Sequence, residues 1–485
     1  MNKQFLILIL FFAHITSLAQ IPSYNVTLNN NPYDANIFFM TGGSQLKPVT
    51  ITDKNGSTIF WDNWGLKGWD FKLNENRKIT FFDRVSKGWY VMDSLQNIVD
   101  SVYCKNGYIA DNHDFIALPN GNYILFAYDP QPYAMDTIVA GGSPNAIVEG
   151  LIIQELDSNH NLLFEWSSWD HFHVTDNVHL NLTNNNINFI HANAIDIDFD
   201  GNLLISSRNL DEITKIHRTT GEIIWRWGGS QNQFNFVNDY PFTHQHTIRK
   251  TGINRYLLYD NGNFSSNYTG NANVSRAVEY ELDTINMTAT KIWEFVHPNS
   301  LYTPSTGGVQ RLPNGNTLIC FGNLQAFGSG SIITEVDTNN NIVFQMEFVN
   351  GQNLYRAHKF DWNFFTPVIG CTDSSACNYD PQSNVDDGSC FYQISIYDTL
   401  SSSSSINWFN NTITLSGDYS HIASTGYCDT IYNLNFTLIS TTSTNNLDDQ
   451  ESFEMDVDIL GRNSKSLITF IKRKSKLEKK IQIKK

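Results

Sequence analysis

The sequence has few charged residues, few basic ones in particular, and after residue 20 no apolar run long enough to span a membrane. Only 16% of its 485 residues are charged, and 32 Lys and Arg stand against 48 Asp and Glu, for a formal net charge of −16. Residues 461–485 carry ten of the basic residues and a single Glu, so the rest of the chain is strongly acidic. An acidic body disfavours nucleic acid as a partner. An anionic substrate would need locally placed cations.

Cysteine is also scarce. Three of the six cysteines lie in one short segment and three are dispersed: Cys371, Cys377 and Cys390, then Cys104, Cys320 and Cys428. None of the spacings resembles a tetrahedral zinc site, and no thiol lies in a nucleophile motif. In an exported chain six cysteines are compatible with disulfides, but their pairing stays open.

The N-terminus has the pattern of a secretory signal peptide. Lys3 is followed by an apolar run, Phe5 to Phe12, and then by Ser17-Leu18-Ala19 before Gln20. The run is shorter than the roughly 20 residues that a membrane span needs. We therefore predict a signal peptide over residues 1–19 and a bacterial protein that is secreted, periplasmic or at the cell surface.

Helix-period apolar patterns are absent except near the C-terminus, whereas aromatic residues, Asn, Ser, Thr and Gly are abundant. This balance predicts an all-β protein. One unit recurs six times between residues 35 and 350: an apolar strand, an Asn-Gly or Asp-Gly turn, a second strand, an acidic pair and an aromatic residue. The clearest first halves are HDFIALPNGNYILFAY from His113 and GGVQRLPNGNTLICFG from Gly307.

The repeat predicts consecutive β-hairpins with type I′ turns, in which both central residues take positive φ. Four short strands per copy, at a period of about 40 to 60 residues, are typical of a β-propeller. We therefore predict a six-bladed β-propeller over residues 20–365. A two-sheet sandwich is the alternative, but it would not repeat one motif order six times.

Three histidines occupy related places in this repeat. His113 and His191 begin the first strands of the third and fourth copies, and His246 begins that of the fifth. The equivalent place in the sixth copy is Gly307. Because first strands line the channel of a propeller and start on one rim, we expect the three imidazoles to converge on one point.

Asn193 and Arg208 accompany the second histidine. Strand alternation puts Asn193 on the same side as His191, and Arg208 follows the next strand. The predicted group contains imidazoles, an amide and a guanidinium but no carboxylate. Such a group is suited to bind an oxyanion such as a sulfate or phosphate ester. A zinc or copper site is the rival interpretation, although Arg208 would oppose a cation. It also stays open that each histidine only forms hydrogen bonds within its own blade.

Four segments in order carry a family resemblance: HANAIDIDFDGNLLISSRN, GEIIWRWGG, THQH followed by LLYDNGN, and GGVQRLPNGNTLICFG. Over roughly residues 105–360 the chain resembles the arylsulfotransferase (arylsulfate sulfotransferase) family of exported six-bladed propellers. The resemblance implies transfer of a sulfuryl group from an aryl sulfate to a phenol through a transient sulfohistidine, without a nucleotide, cofactor or metal.

On that pattern His246, preceded by Gln245, is the nucleophile. His191, Asn193 and Arg208 match the positions that bind the sulfuryl group, and His113 matches a further channel histidine. Either His113 or His191 could protonate the leaving phenolate. His244 lies two residues before His246, so it is a second candidate for the nucleophile and a candidate for substrate binding.

Aromatic residues near these positions are candidates for stacking on an aryl ring, although such residues are more often packing: Tyr240, Phe242 and Tyr302. Two further functions stay open beside the transferase. One is a non-catalytic propeller that binds a sulfated or other anionic ligand, or a surface partner. The other is a metal-dependent hydrolase.

The remaining chain breaks the repeat. Residues 370–390, GCTDSSACNYDPQSNVDDGSC, form a Cys- and Asp-rich module, which is either a calcium site or a disulfide-pinned linker with solvated acids. Residues 391–445 form a polar, β-rich linker region. Residues 446–485 resemble a degenerate C-terminal sorting domain of the type IX secretion route, which predicts that secretion machinery as a partner; without the resemblance the basic tail reads as a surface-binding arm.

Overall fold

Aromatic and β-branched residues separated by short polar turns form strands throughout the chain. The computed structural model describes residues 23–42, 48–324, 328–362, 368–381, 383, 385–424 and 428–439, and the backbone alone of three later strands. Contacts divide the chain into a first unit, Met1–Thr366, and a second unit, Pro367–Lys485. The predicted signal peptide lies outside the described residues.

The first unit contains these strands: β1 (Tyr24–Asn29), β2 (Asn36–Gly42), β3 (Pro48–Thr52), β4 (Thr58–Asn63), β5 (Lys67–Leu73), β6 (Ile79–Asp83), β7 (Gly88–Met92), β8 (Ile98–Val102), β9 (Ala110–Ala117), β10 (Tyr123–Tyr133), β11 (Ala146–Leu156), β12 (Leu162–Ser167), β13 (Asn186–Asn188), β14 (Ala192–Ile197), β15 (Leu203–Ser207), β16 (Glu212–Ile216), β17 (Ile223–Gly228), β18 (Asn235–Val237), β19 (His246–Gly252), β20 (Arg255–Asp260), β21 (Arg276–Asp283), β22 (Thr288–Val296), β23 (Gly308–Arg311), β24 (Thr317–Phe321), β25 (Ile332–Val336), β26 (Ile342–Phe348) and β27 (Asn353–Phe360). The helical elements among its described residues are one short helix, α1 (Ser266–Thr269), and four 3₁₀ turns at Met135–Thr137, Ser168–Asp170, Val174–Asp176 and Arg208–Leu210. The all-β prediction is confirmed. Among the described residues, no helix is long and apolar enough to cross a membrane.

These strands form six sheets of four or five strands each. In chain order, and from the inner to the outer strand, sheet 1 is β27-β2-β3-β4, sheet 2 is β5-β6-β7-β8, sheet 3 is β9-β10-β11-β12, sheet 4 is β14-β15-β16-β17, sheet 5 is β19-β20-β21-β22-β18 and sheet 6 is β23-β24-β25-β26-β1. The short strand β13 pairs with β11 in sheet 3. The inner strands touch in a closed order, β27 to β5, β9, β14, β19, β23 and back to β27.

The two ends of the first unit close this order. Strand β27 pairs antiparallel with β2, and β1 pairs antiparallel with β26, so sheets 1 and 6 each combine strands from both ends of the unit. The repeat did not predict either pairing, because β1 precedes the first copy of the motif and β27 follows the last. Hydrophobic cores fill the spaces between neighbouring sheets, for example Phe126 and Ile153 of sheet 3 against Ile195 and Ile205 of sheet 4.

The hairpin turns differ from the predicted type I′. In LPNGN, Leu118 N–H donates to the Asn122 carbonyl and Gly121 N–H donates to the Leu118 carbonyl, and only Gly121 has positive φ. The Leu312–Asn316 copy has the same bonds. These are three-residue loops in which a type I turn is followed by a left-handed glycine. The glycine is needed because φ is +87° at Gly121 and +90° at Gly315.

The second unit is also built from strands: β28 (Ile369–Gly370), β29 (Val385–Asp386), β30 (Ile394–Ser402), β31 (Ile406–Trp408), β32 (Asn411–Ile413), β33 (Gly417–Ser424), β34 (Asp429–Leu438), β35 (Ser452–Asp456), β36 (Leu467–Arg473) and β37 (Lys476–Ile481). Disulfides join Cys371 to Cys390 and Cys377 to Cys428, while Cys104 and Cys320 of the first unit are free. Of the predicted sorting domain, only the strands β35 to β37 lie within the described backbone.

Candidate functional site

The three histidines singled out by the repeat come together. His113 is the fourth residue of β9, His191 immediately precedes β14, and His246 is the first residue of β19, so all three lie on or directly before inner strands that touch. The ring centroids of His113 and His191 are 4.7 Å apart, and the two ring planes meet at an angle of 73°. The pKa of His191 responds to charge on His246, and that of His246 to charge on His113. The structure brings the His113 and His191 rings together and places His246 on the neighbouring inner strand, and a shared site of all three stays a prediction.

His246 is held by one hydrogen bond whose direction can be worked out. Its Nδ1 lies 2.6 Å from Oδ1 of Asn261. The amide nitrogen of Asn261 donates to the carbonyl oxygens of Thr303 and Thr306 at 2.7 and 2.9 Å, so Oδ1 faces the histidine as an acceptor. In the neutral imidazole Nδ1 must then carry the proton and Nε2 the lone pair. Within the described part of the chain, Nε2 has no hydrogen-bond partner.

Burial keeps this group of imidazoles uncharged. The pKa of His246 lies well below its usual range because of burial and then of the charge on Arg208. Burial and the charges of His113 and Arg208 act the same way on His191. For His244, burial, Arg208 and His179 lower the pKa to about 3. All three are therefore neutral near pH 7, and a neutral imidazole is a competent nucleophile.

Arg208 is bound to His191 through its backbone and to the segment between β22 and β23 through its side chain. Its N–H donates to the His191 carbonyl at 3.1 Å. The guanidinium donates to Oδ1 of Asn209 at 2.8 Å and to the Pro304 carbonyl at 3.0 Å. Burial lowers the pKa of Arg208, but a guanidinium stays charged in proteins. The cluster thus contains one fixed cation among neutral imidazoles.

Asn193 does not follow the predicted strand alternation. The pairing of β14 with β15 jumps from Ala192 to Ala194, so Asn193 is the extra residue of a β-bulge. Its side chain is fully buried and donates to the carbonyl oxygen of Gln245 at 2.7 Å. Gln245 in turn donates to Ser206 Oγ at 3.1 Å and to the Glu212 carbonyl at 3.0 Å. Asn193 therefore positions the residue before His246, and a direct contact with substrate stays a prediction.

His244 lies in a second group of side chains that the sequence did not indicate. Its N–H donates to Oδ1 of Asp211 at 2.6 Å, and Oδ2 of Asp211 lies 2.8 Å from Nε2 of His179. The His179 ring stacks on Phe264 with centroids 3.6 Å apart. His244 meets both rings edge-on, at 5.9 Å from His179 and 5.0 Å from Phe264. His179 and Asp211 belong to none of the motifs above, so no sequence signal pointed to them.

His113 has a carboxylate partner as well. Its Nδ1 lies 2.6 Å from Oδ1 of Asp111, two residues earlier on β9. The carboxylate accepts from Nδ1–H, which leaves Nε2 of His113 free to exchange a proton in the channel. The Tyr355 hydroxyl donates to the backbone carbonyls of His113 and Asn193 at 3.0 and 3.2 Å, so β27 supports both sheets 3 and 4 here.

A buried network of charges connects the inner strands of sheets 1, 2, 3 and 5. Asp114 binds Arg249 at 3.0 Å and Arg356 at 3.3 Å, and it also pairs with Lys72. Asp70 binds Lys72 at 2.7 Å and Arg356 at 3.3 Å. Arg356 also donates to the Asn193 carbonyl. Each of these three cations is paired with at least one of the two carboxylates, whereas Arg208 forms no ion pair within the described residues.

Two features of the cluster are typical of functional sites. Left-handed backbone occurs at several non-glycine residues around His246: His191, Asp211, His244, Thr247 and Thr306. Several buried polar atoms here also have no partner within the described residues: Oδ1 of Asn193, Oγ of Ser207, both ring nitrogens of His244, Oε1 of Gln245 and Oδ1 of Asn263. Buried polar groups without partners are unusual and indicate a place for water or ligand.

The aromatic candidates have different surroundings. Phe242 is fully buried and packs against Trp227 with ring centroids 4.9 Å apart, so it belongs to the core and is not open to an aryl substrate. Tyr240 stacks on Tyr268 at 6.0 Å and lies against the Arg276 guanidinium. Tyr302 is partly exposed, and its pKa responds to the charge on Arg208, which places it near the site.

The described residues contain no group of three or more His, Cys, Asp or Glu side chains arranged to hold a metal ion. In the Cys- and Asp-rich module, the acidic side chains accept local hydrogen bonds. Asp373 accepts from Ser375 N–H and from the Tyr392 hydroxyl, and Asp387 accepts from Ser389 N–H. The calcium site therefore stays a prediction.

The first unit is an all-β unit of six sheets with a buried cluster of neutral histidines and one arginine on its inner strands. The family model of arylsulfotransferases (ASST) matches residues 24–356. The chain belongs to the arylsulfotransferase family, and it is an enzyme that transfers sulfuryl groups; an aryl sulfate donor and a phenol acceptor fit this family.

Other comparisons are remote. No curated protein matches the chain. A protein of unknown function from Bacteroides caccae is 13% identical, with a TM-score of 0.43, covering 67% of this chain and 99% of its own. A streptogramin B lyase is 9% identical, with a TM-score of 0.37 and coverages of 70% and 98%. The β-propeller domain of a Myceliophteria thermophila protein is 9% identical, with a TM-score of 0.34 and coverages of 67% and 89%.

Proposed function

We propose that the first unit is a six-bladed β-propeller that moves a sulfuryl group from an aryl sulfate to a phenol through a sulfohistidine at His246, without a nucleotide or cofactor. The closed order of contacts among the six inner strands supports the propeller. The observation that carries the mechanism is the bond between Nδ1 of His246 and Oδ1 of Asn261, because it leaves the Nε2 lone pair for attack.

The first step forms a bond from Nε2 of His246 to sulfur and breaks the bond from sulfur to the aryl oxygen, which leaves as a phenolate. Arg208 and His191 stabilise the charge on the non-bridging oxygens. For poor leaving groups, a His113 that carries a proton on both ring nitrogens and is oriented by Asp111 gives its Nε2 proton to the departing aryl oxygen and becomes neutral. In the second step the acceptor oxygen bonds to sulfur, the bond from nitrogen to sulfur breaks, and the acceptor proton passes to His113.

The structure also favours His246 over His244 as the nucleophile. Nδ1 of His246 is bound and oriented, whereas neither ring nitrogen of His244 has a partner within the described chain. A nucleophile needs one nitrogen fixed so that the other points at sulfur. We therefore assign His244 to substrate binding and Asn193 to positioning Gln245 and its neighbour His246.

The test uses 4-nitrophenyl sulfate with phenol as acceptor. Wild-type protein should release a burst of nitrophenol and, before phenol is added, gain the mass of one sulfuryl group. His246→Ala should abolish both signals, while His244→Ala should keep the mass adduct. Nitrophenol release that is unchanged in His246→Ala would overturn the proposal. Ligand binding that needs Arg208 but gives no adduct would support the non-catalytic propeller, and loss of turnover with a chelator would support the metal-dependent hydrolase.

We also propose that the protein is exported, on the strength of the sequence pattern at residues 1–19 and the basic C-terminal segment. Expression in a bacterium with a type IX secretion route should give a mature N-terminus at Gln20. Retention of Met1 in the recovered protein would contradict export through a cleaved signal peptide.

A further inference from the structure

His244 is the most unusual side chain of the site after His246. It is 8% exposed, its backbone is left-handed with φ +53°, and both ring nitrogens are buried without a partner among the described residues. A buried imidazole with two unsatisfied nitrogens costs free energy unless a ligand or water satisfies them. The backbone bond from His244 N–H to Asp211 holds the ring in this position.

The neighbour of His244 supplies a complementary group. Oδ2 of Asp211 lies 2.8 Å from Nε2 of His179, so Nδ1 is the ring nitrogen of His179 that does not face the carboxylate. No partner of Nδ1 lies within the described residues. Stacking on Phe264 fixes the ring plane. The two imidazoles together therefore offer N–H donors and lone-pair acceptors side by side.

This combination distinguishes between possible ligand groups. The oxygens of a sulfuryl group only accept hydrogen bonds, so the lone pair on neutral His244 would face them without compensation. A hydroxyl both donates and accepts, and it satisfies one N–H and one lone pair together. The burial of His244 and its closeness to Arg208 keep it neutral, with a pKa of about 3.

We propose that His244 and His179, with Asp211 and Phe264 behind them, bind a second hydroxyl of the aromatic acceptor, so that the enzyme prefers dihydroxylated rings to simple phenols. Arg208 connects the two parts of the site, since its charge acts on His244 and on His246. Phe264, which meets the His244 ring edge-on with centroids 5.0 Å apart, provides aromatic surface for the ring. The proposal rests on the transferase function proposed above.

The experiment compares acceptors that differ in one donor hydrogen. The enzyme is first allowed to react with 4-nitrophenyl sulfate, so that it carries the sulfuryl group. Each of the three dihydroxybenzene isomers is then compared as acceptor with the matching methoxyphenol, which keeps the ring and the second oxygen but lacks the second O–H. For wild-type protein, kcat/KM for at least one isomer should exceed that of its methoxy partner roughly tenfold. In His244→Phe and in His179→Phe the ratio should fall to about 2, the statistical value for two hydroxyls.

The ratio is taken within each variant, so any change in the sulfuryl donor reaction acts equally on the dihydroxybenzene and on its methoxyphenol partner and leaves the ratio unaffected. His160→Phe is the matched control, since His160 also has a left-handed backbone, with φ +62°, and lies in an outer turn of sheet 3; it should keep the wild-type ratio. Equal rates for every dihydroxy and methoxy pair in wild-type protein, or an unchanged ratio in both variants, would overturn this proposal. An absent burst in wild-type protein would instead overturn the transferase function.

Discussion

The Nδ1 atom of His246 and the Oδ1 atom of Asn261 lie 2.6 Å apart in the buried centre of the first unit. His246 is the first residue of β19 and Asn261 directly follows β20, the neighbouring strand in the same sheet. The amide is in turn fixed by two carbonyl oxygens from the segment before β23. The tautomer of the proposed nucleophile is therefore set by a contact within sheet 5 that the segment before β23 holds in place.

We expect Asn261→Leu to slow the nitrophenol burst by roughly 100-fold, because the imidazole loses the partner that fixes its orientation and tautomer. Asn261→Asp keeps the acceptor but adds a negative charge, which raises the pKa of His246 and should move the acid limb of the burst to higher pH. Stopped-flow release of nitrophenol measures both effects. Asn339→Leu, in an exposed turn of sheet 6, is the control. Equal burst rates for Asn261→Leu and this control would contradict the role of Asn261.

The rate of the nitrophenol burst should stay constant at pH values where an ordinary histidine nucleophile would already be protonated. An ordinary histidine has a pKa of about 6.5 and is about 90% protonated at pH 5.5. Burial, and then the charge on Arg208, hold the pKa of His246 well below that range. The imidazole thus stays neutral as the pH falls, and we expect the burst rate at pH 5.5 to match that at pH 7.5. A loss of about tenfold between these values would show that His246 titrates normally.

Arg208→Lys should lower the burst rate roughly 100-fold, which is the usual effect of losing a fixed donor to a developing anion. The backbone hydrogen bond to His191 is unaffected in this variant. The planar guanidinium of Arg208 can bind Asn209, Pro304 and a sulfuryl oxygen together, and the smaller ammonium of Lys cannot. Circular dichroism should show an unchanged fold. Arg255→Lys, at the half-exposed pair with Glu281, is the control and should keep the wild-type rate.

The charge network beneath the site should matter for stability. Asp114→Ala leaves Lys72, Arg249 and Arg356 without one of their anions, and we expect the free energy of unfolding to fall by about 3–5 kcal/mol. Removing the exposed partner Glu281 of Arg255 should cost less than about 1 kcal/mol. Urea titration of both variants measures the difference. Similar losses of unfolding free energy in the Asp114 and Glu281 variants would show that the buried ion pairs contribute no more to stability than the exposed pair does.

The same network gives stability a defined dependence on pH. Burial raises the pKa of Asp70 and Asp114, but the charges of Lys72 and Arg356 outweigh it and hold both below their usual range. A carboxyl with a lowered pKa contributes stability above its unfolded value of about 3.9. This contribution to the free energy of unfolding should be lost as the pH falls below about 4. In Asp114→Ala the free energy of unfolding, measured by urea titration, should therefore depend less on pH in this acidic range.

The repeat in the sequence predicted much of the fold because hairpin strands depend on local alternation and turn residues. It predicted the consecutive antiparallel strands of sheets 2 to 5 but not β13 and β18, which pair parallel with β11 and β22. It missed the type of the LPNGN turns, since only Gly121 and Gly315 need positive φ. It also missed the bulge at Asn193, because alternation fails where one strand carries an extra residue.

The sequence by itself therefore determined an all-β chain, the histidines that share a structural level, and the motifs of the arylsulfotransferase family. Tertiary structure alone decided which groups surround them. The pairing of β27 with β2 brings Tyr355 and Arg356 under the site, and the chain between β12 and β14 brings His179 to Asp211 and His244. These partners are tens to hundreds of residues apart in sequence, so only the closed packing of the sheets fixes the tautomers, charges and contacts on which the proposed chemistry depends.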